Sequence, residues 1–589
     1  MDFDERLCRR DCRPGLAVTI DKRSIAEKAP RPERHVAVVV VGAGAAGVAA
    51  AIEAARVGVE VLLIDENPID NDMMAMDVPL YFGQRMQPSV RNRALMMERV
   101  VETNPALAEA HEAGVDVQLG TYVWGAFVNG PTVRELPGPM LGLADDRRSW
   151  LVGYDRLIVA AGARDVAMGF PGWERAGAMG ANGAVSLLTR YRALGSQRMV
   201  IVGSGDLGLR TATLALESAV AVAGIVEVAN TVRGDEAIAR SLAGRGVPLY
   251  TAHTIREARG RVGEIDSVVL VQVDESLKPV AGSEREIACD TVCLALGLAP
   301  NVELLHLVGA RFAFDSALGG WIPELNDQMQ TSVPTVFAAG DCTGVHDAML
   351  ADPEIARTQG RLAGIAAAQS LGAATPVALP HEPGGQGEGA ALDIPLPHRG
   401  RGPQFELSGG TARRGLSRSE GAVHSYWQTW LQSLLHAGGW EVNICQCEEV
   451  TRRELVDVKP PRYLKWESPQ MEARSLDTML RDGPVNQDQI KRLTRAGMGP
   501  CQSRRCREQV GLLLAQAAAT SIDRIPLPSF RPPIRPLPMN VLWPTDEPAA
   551  MREDWVSWFG IPTQFSPHWE AGMAIAEPTA QTRLILSDE

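Results

Sequence analysis

The feature that most restricts how this chain can fold is a glycine loop set between two apolar stretches. Residues 38–41 are an unbroken β-branched run, as expected of a strand buried on both faces in a parallel sheet. The run leads straight into Gly42-Ala-Gly-Ala-Ala-Gly47. In such a strand-to-helix turn Gly42 permits the tight bend, Gly44 leaves room for a pyrophosphate, and Gly47 lets the helix pack on the strand. The first helix amides, at Ala45 and Ala46, then face the phosphates. An Ala-rich helix over 45–57 ends at Gly58, and a second apolar strand over 59–64 stops at Asp65-Glu66. An acid there can accept both ribose hydroxyls, which makes Asp65 the first choice and Glu66 the second. A lone glycine pattern is weak; strand, glycines, helix, strand and terminal acid together mark a dinucleotide site.

The same order recurs downstream. Residues 199–202 form a strand pattern, Gly203-Ser-Gly-Asp-Leu-Gly208 a loop, 209–218 a helix and 220–226 a strand that ends at Glu227. Here Gly203, Gly205 and Gly208 take the three glycine roles. A unit of this kind usually takes NAD(P)H, and Glu227 favours a free 2′-hydroxyl, hence NAD over NADP. Asp206 lies inside the loop, where its carboxylate can cap the helix amides itself and oppose a pyrophosphate. NAD, another adenine nucleotide and a retained fold that holds nothing all stay open for this second site.

With 589 residues the chain exceeds one hydrophobic core, since domains usually run about 100–200 residues. Three folded units plus linkers are expected. The 45% hydrophobic and 22% charged fractions are those of a soluble globular protein, and the net charge of -13 argues against nucleic acid or an anionic membrane as partner. Residues 36–52 and 219–228 are rich in Gly or Ala and fall short of the roughly 20 apolar residues of a spanning helix, so no membrane span is expected. The start, Met1-Asp-Phe-Asp-Glu-Arg, carries charge where a signal peptide needs an apolar core, and a cytoplasmic location is expected. Nine cysteines in that compartment are to be read for ligands, not disulfides.

Two further phrases, Tyr154-Asp-Arg-Leu-Ile-Val-Ala-Ala-Gly-Ala163 and Thr335-Val-Phe-Ala-Ala-Gly-Asp-Cys342, resemble the remaining signatures of the two-dinucleotide-domain flavoprotein superfamily. The resemblance implies an α/β fold, in which a Rossmann-type FAD domain is interrupted by an inserted NAD-type domain. It puts FAD in the first site, with Val123, Ala161, Gly162 and Gly340 beside it and Asp341 bonded to its ribityl and pyrophosphate region. Disulfide reductases of that superfamily carry a cysteine pair near the flavin, but residues 67–86 contain none. Tyr81-Phe-Gly-Gln-Arg85 stands there instead, and Gln84 could hydrogen-bond a flavin. Cys289 and Cys293 flank an apolar strand and read as core thiols, so thiol–disulfide exchange is not expected. By the same resemblance His346 would lie near the isoalloxazine ring, although a lone His is more often structural or solvated.

Residues 375–415 are crowded with Pro, Gly and short polar runs and read as a linker. Beyond them, 426–436 gives an amphipathic helix with Trp427 and Trp430 on one side. Then come Cys445-Gln-Cys447-Glu-Glu and Gly497-Met-Gly-Pro-Cys501-Gln-Ser-Arg-Arg-Cys506. Four thiolates in two close pairs suit tetrahedral zinc or an iron–sulfur cluster. C-x-C joined to C-x4-C is unusual for zinc and resembles the bacterioferritin-associated-ferredoxin-like domain, which implies a [2Fe-2S] cluster on Cys445, Cys447, Cys501 and Cys506. Zinc and an empty site remain alternatives. The stretch between Cys447 and Cys501 is longer than in that family, and 459–482 reads as an insertion that loop entropy tolerates, because the closure cost grows only logarithmically.

In chain order, an N-terminal arm (1–34) is followed by the first segment of the FAD domain (35–165), the inserted NAD(P)-type domain (166–300) and the second segment of the FAD domain (301–372). A linker (373–425), a small α-rich [2Fe-2S] domain (426–539) and a tail (540–589) complete the chain. The chain thereby resembles the alpha (A) subunit of opine oxidases, hydrogen cyanide synthase, dye-linked proline and hydroxyproline dehydrogenases and heterotetrameric sarcosine oxidase. Phe170-Pro-Gly-Trp173, Gly180-Ala-Asn-Gly183, Gly360-Arg-Leu-Ala-Gly364 and Phe530-Arg-Pro-Pro-Ile-Arg-Pro-Leu-Pro538 carry the likeness further. It implies that an amine or imino acid is oxidised on a separate FAD-containing beta subunit, D-amino-acid-oxidase-like, and that electrons cross to this chain. Some members add an FMN at the interface or a small ferredoxin-like subunit. No residue here has a strong claim to acid–base catalysis on substrate. Cys8 and Cys12 in the arm, and Trp543, Trp555, Trp558 and Trp569 in the tail, lie outside the pattern; the tail either anchors on a partner or packs on its own core. Two rivals stand beside this reading: a self-contained NAD(P)H-dependent flavoprotein reductase, and a non-catalytic scaffold that keeps its cofactors for assembly.

Overall fold

The structure, a computed structural model, describes residues 31–76, 83–129, 136–261, 263–372, 422–462, 468–538 and 541. Residues 32–542 form one compact unit; residues 1–31 and 543–589 form another, of which only Arg31 is described. The arm with Cys8 and Cys12, Tyr81-Phe82, the linker over 375–415 and the four tail tryptophans therefore lie outside the described residues.

The valine run does form a buried strand, and it begins earlier than the sequence pattern suggests, at Arg34–Val41. Val36, Val38, Val39 and Val40 are fully buried, each stabilising the sheet by roughly 1.5–3 kcal/mol relative to exposure. The strand pairs in parallel with Val61–Asp65 (Val41 opposite Ile64) and with Ser149–Val159 (Val41 opposite Val159). Asp116–Leu119 extends the sheet on one side, and antiparallel Met140–Ala144 and Tyr122–Phe127 on the other. Val336–Ala338 adds in parallel to Ser149–Val159. Parallel strands end together, so Val41, Asp65, Val159 and Ala338 bring their following loops to one edge, where open α/β sheets bind ligands. Behind the sheet, Ala45–Arg56 lies against Pro353–Gln369. The contact is tight because small residues meet: a methyl group on Gly360 or Gly364 would stand 2.0 or 2.2 Å from the carbonyl oxygens of Ala46 or Ala50.

A second parallel sheet runs Leu249–Tyr250, Ala221–Val226, Arg198–Val202, Thr291–Leu294 and Ala178–Gly180. Its helix, Asp206–Glu217, starts earlier than the sequence periodicity suggests, with Gly205 as N-cap. Ala163–Asp165 and Leu298–Pro300 pair antiparallel, Asp165 opposite Leu298, where the chain leaves the first sheet and returns to it. The two Rossmann-type units make this a two-domain FAD/NAD-type oxidoreductase fold.

After the linker the described chain is mainly helical: Ala422–His436, Gln487–Thr494 and Arg507–Ala517 pack around a short Asn443–Cys445/Val450–Thr451 hairpin. Trp427 and Trp430 are fully buried. They share one apolar core with Val200 and Val226 of the second sheet and Leu513 of the last long helix. Trp427 donates from Nε1 to the Leu296 carbonyl at 2.8 Å, so the helical segment is seated on the second Rossmann unit.

Candidate functional site

At the edge where the first sheet ends, the glycine loop has the conformation its composition demands. Gly42 has φ +104°, and a Cβ on it would meet the Ala160 oxygen at 2.2 Å; one on Gly47 would meet the Gly42 oxygen at 1.7 Å. One on Gly44 meets nothing within 4 Å, because it points into the opening above the helix. Ala45 and Ala46 begin that helix, which has neither a side-chain cap nor an acid in its first turn. Its leading amides are therefore disposed toward an anion.

Gly42, Gly44 and Ala160 border a cavity of 310 Å³ that Val123, Ala161, Gly162, Asp65, Glu66 and Asp341 also line. Asp65 stands at the strand end, where its Oδ2 accepts from the Ala43 amide at 2.6 Å and its Oδ1 from the Asn67 amide and side chain, both at 2.7 Å. Glu66 pairs with Arg535 at 2.8 Å. The turn at Ala161-Gly162 is held by Asn301, which donates from Nδ2 to the Ala161 oxygen at 2.9 Å and from its amide to the Gly162 oxygen at 3.0 Å. Gly340, at φ +76°, donates its amide to Gln359 Oε1 at 2.8 Å and so aims Asp341 at the cavity. Burial pushes the Asp341 carboxyl above its ordinary range.

Two residues weighed from the sequence lie off the cavity lining. Gln84 is exposed and is not among the residues that line the cavity. Its neighbours turn it away: the Gly83 oxygen accepts from the Gly177 amide at 2.8 Å, and Arg85 Nε donates to the Asp290 oxygen at 2.9 Å, which ties this segment to the second sheet. His346 is half-buried at the start of Asp347–Ala351 and likewise does not line the cavity; burial lowers its pKa. In their place the structure brings residues that sequence reasoning does not single out, among them Asn182, Arg190, Asn301, Arg504 and Arg535. Arg190 reaches Asn67 Oδ1 at 3.1 Å.

Beside the cavity lies a buried network of four charges. Arg164 contacts Glu303 at 3.1 Å and Glu508 at 2.8 Å, and Arg507 contacts the same two at 3.1 and 2.7 Å. Burial opposes ionisation of Glu303, but Arg164 and Arg507 hold its carboxyl below the usual range. Ions buried this deeply are tolerated only when paired. Glu303 lines the cavity and Arg507 directly follows Cys506, so the network clamps the cysteine loop to the first Rossmann unit.

The four C-terminal cysteines come together. Cys445, Cys501 and Cys506 are buried and Cys447 partly so. Cys445 and Cys506, and Cys447 and Cys501, lie close enough to shift one another's ionisation, and the other sulfurs of the four contribute electrostatically. The Gly497 amide donates to Cys445 Sγ at 3.3 Å. The neighbouring Cys447 thiol, the Arg505 amide and the nearby Arg504 and Arg505 guanidiniums bring the Cys501 thiol down to about 6 against the opposing effect of burial. Among the described residues, no group of three or more His, Cys, Asp or Glu side chains is arranged to hold a metal ion. All seven described cysteines are unbridged.

Comparison with known proteins places this geometry. The pyridine nucleotide-disulphide oxidoreductase profile matches residues 36–372, which spans both Rossmann-type units. The chain belongs to that family. It is 25% identical to the opine oxidase A subunit of Agrobacterium tumefaciens over 85% of this chain and 89% of that protein. It is 26% identical to the HcnB subunit of hydrogen cyanide synthase from Pseudomonas aeruginosa over 80% and 90%. A solved L-proline dehydrogenase from P. horikoshii superposes with TM-score 0.53 over 88% of this chain and 81% of that one, at 16% identity, a likeness of fold.

Members of a family named for a pyridine nucleotide have a second glycine loop to place one, and here that loop keeps its shape. Gly203 has φ +104°, a Cβ on Gly208 would meet the Gly203 oxygen at 2.1 Å, and one on Gly205 meets nothing within 4 Å. Its surroundings differ from those of the first loop. Asp206 does not cap its own helix; its Oδ1 accepts from the Asp235 amide at 2.8 Å. Glu227 is 1% exposed. Its Oε2 accepts from the Ser204 amide at 3.1 Å, from Ser204 Oγ at 2.7 Å and from the Tyr426 hydroxyl at 2.9 Å, while Oε1 accepts from the Ala229 amide at 2.9 Å.

Proposed function

We propose that this chain binds FAD in the 310 Å³ cavity and a [2Fe-2S] cluster on Cys445, Cys447, Cys501 and Cys506. In this reading it is the electron-transferring subunit of a heteromeric amine or imino/amino-acid dehydrogenase or oxidase, acting on CH–NH or CH–NH2 donors. The observation that carries the reading is Arg504: it belongs to the loop between Cys501 and Cys506 and also lines the flavin cavity. The cavity and the cysteine loop are therefore neighbours, as electron transfer between a flavin and a cluster held there would require.

The residues fit both groups. The Gly42–Gly47 loop and the amides at Ala45 and Ala46 would take the pyrophosphate, Asp65 the ribose, Val123 an apolar face, and Ala161, Gly162, Gly340 and Asp341 the ribityl side. Glu66, already bonded to Arg535, contributes by holding that segment over the site. Four neighbouring thiols, Cys445, Cys447, Cys501 and Cys506, would supply the four ligands that a [2Fe-2S] cluster takes. When bound, FAD accepts electrons in pairs and releases them singly to an iron–sulfur acceptor, and the protein sets their positions and potentials.

The donor would be oxidised on an FAD-containing, D-amino-acid-oxidase-like beta subunit, with FMN at the interface or a small ferredoxin-like subunit completing the assembly. Support comes from relatives that are named as subunits, those of opine oxidase and hydrogen cyanide synthase. The absence of cysteine over 67–86 argues against disulfide reduction. No helix among the described residues is long and apolar enough to cross a membrane; we assign the chain to the cytoplasm, where cluster thiols stay reduced. The test is anaerobic mixing of proline, sarcosine or an opine with the chain alone and with its co-purified partner. Flavin bleaching only with the partner is expected; bleaching of the isolated chain by an amine would overturn the reading.

A further inference from the structure

We infer that the second Rossmann unit no longer takes a dinucleotide, and that its ribose-binding acid, Glu227, has become a latch that holds the helical cysteine domain through Tyr426. This role depends on the second unit alone and stands apart from the donor assigned above.

The two glycine loops supply their own control. In the first, Asp65 also binds the amide of its loop, Ala43, at 2.6 Å, yet it remains partly exposed and lines the 310 Å³ cavity. A bond from acid to loop amide is thus compatible with an open ribose site. What distinguishes Glu227 is everything beyond that bond. Its carboxylate has four donors, the last of them the Tyr426 hydroxyl at 2.9 Å, delivered by the helix Ala422–His436. Ribose hydroxyls compete for the same oxygens. To bind, a nucleotide would have to displace Tyr426, whose hydroxyl would then lie buried without its acceptor.

The latch is reinforced on both sides. The Arg233 guanidinium lies over the Tyr426 ring at 4.1 Å, a favourable cation–π distance. One residue on, the Trp427 indole donates to the Leu296 oxygen at 2.8 Å. The phosphate end is covered as well. The Gly234 amide donates to the Ser204 oxygen at 2.9 Å, and Gly234 lies so close that an added Cβ would stand 2.7 Å from the Asp206 nitrogen. Space beside Gly205 is still open, but the amide a phosphate would use next is shielded by the chain itself, with the Asp206 carboxylate adding like charge. The geometry of a nucleotide loop is kept because it supports the sheet and helix; its ligand positions are filled from within.

Two measurements on the FAD-loaded chain test this. Equilibrium dialysis against NAD+, NADH, ADP and ATP up to millimolar concentration is expected to give no saturable binding that Glu227→Gln weakens; such binding by any of the four would overturn the inference. Hydrogen exchange then reads the latch itself. Tyr426→Phe removes one hydroxyl and keeps the ring, so amides of Ala422–His436 are expected to exchange about tenfold faster, the loss of one hydrogen bond to a charged group, with flavin absorbance unchanged. Unaltered exchange in that helix would also overturn it.

Discussion

At the residue scale, the first glycine loop was legible because its demands are local. A positive φ at Gly42, a missing side chain at Gly44 and a close helix–strand contact at Gly47 are each satisfied within a few residues of chain, and Asp65 follows from where the next strand stops. Asn301, Arg504 and Arg535 were not legible. They reach the cavity only after the chain has passed through an entire inserted unit or a linker, and nothing in their neighbourhood advertises the trip. The bond that Glu227 receives was hidden in the same way: its spacing is that of a ribose acid, and Tyr426, which donates to it, lies 199 residues away in sequence. The role of Gly44 can be tested alone. It sits in extended backbone, φ -73° and ψ -176°, which valine tolerates, and its Cβ direction is open. Gly44→Val is therefore expected to fold with unchanged circular dichroism but to bind FAD about 100-fold more weakly, roughly 2.8 kcal/mol, as read by flavin titration of the apoprotein.

At the scale of elements, hydrophobic periodicity located the two strands that flank each glycine loop, with ends off by a few residues because terminal pairing is decided by neighbours rather than propensity; it did not single out others of the two sheets, such as Tyr122–Phe127 and Met140–Ala144. It also found the helix that carries Trp427 and Trp430. It could not say which surface that helix would cover, since burial of two indoles requires only an apolar partner; the partner proved to be the second sheet. The buried quartet of Arg164, Glu303, Arg507 and Glu508 joins three sequence-distant elements and has no sequence signature. It has a strong expected consequence. Glu303→Gln would leave two guanidiniums, 1% and 5% exposed, sharing Glu508, and removal of one partner from a buried ionic group costs about 3–5 kcal/mol. Chemical denaturation of the holoprotein should register that loss; a change below about 1 kcal/mol would mean that water reaches the network.

At the scale of the whole molecule, the pattern is a nucleotide fold used twice for different ends. The first unit keeps its cavity and opens it toward the cysteine loop through Glu303 and Arg504. The second keeps the loop, closes it with Tyr426 and Gly234, and carries the domain that bears the four cysteines. On the proposed reading electrons would enter at the flavin and leave at the cysteines, without a pyridine nucleotide between them. Cysteine spacing suggested the proposed exit; that the Cys501–Cys506 loop adjoins the cavity through Arg504 emerges only from the fold. The most direct test of that adjacency is rapid-freeze paramagnetic resonance of the assembled complex after addition of its amine donor, comparing the wild type with Cys501→Ser. In the wild type an iron–sulfur signal should rise as the flavin bleaches. In Cys501→Ser the flavin should still bleach, with no such signal and with acceptor reduction at least about 100-fold slower, roughly 2.7 kcal/mol in barrier. Unchanged turnover by Cys501→Ser in a fully assembled complex would contradict this electron path.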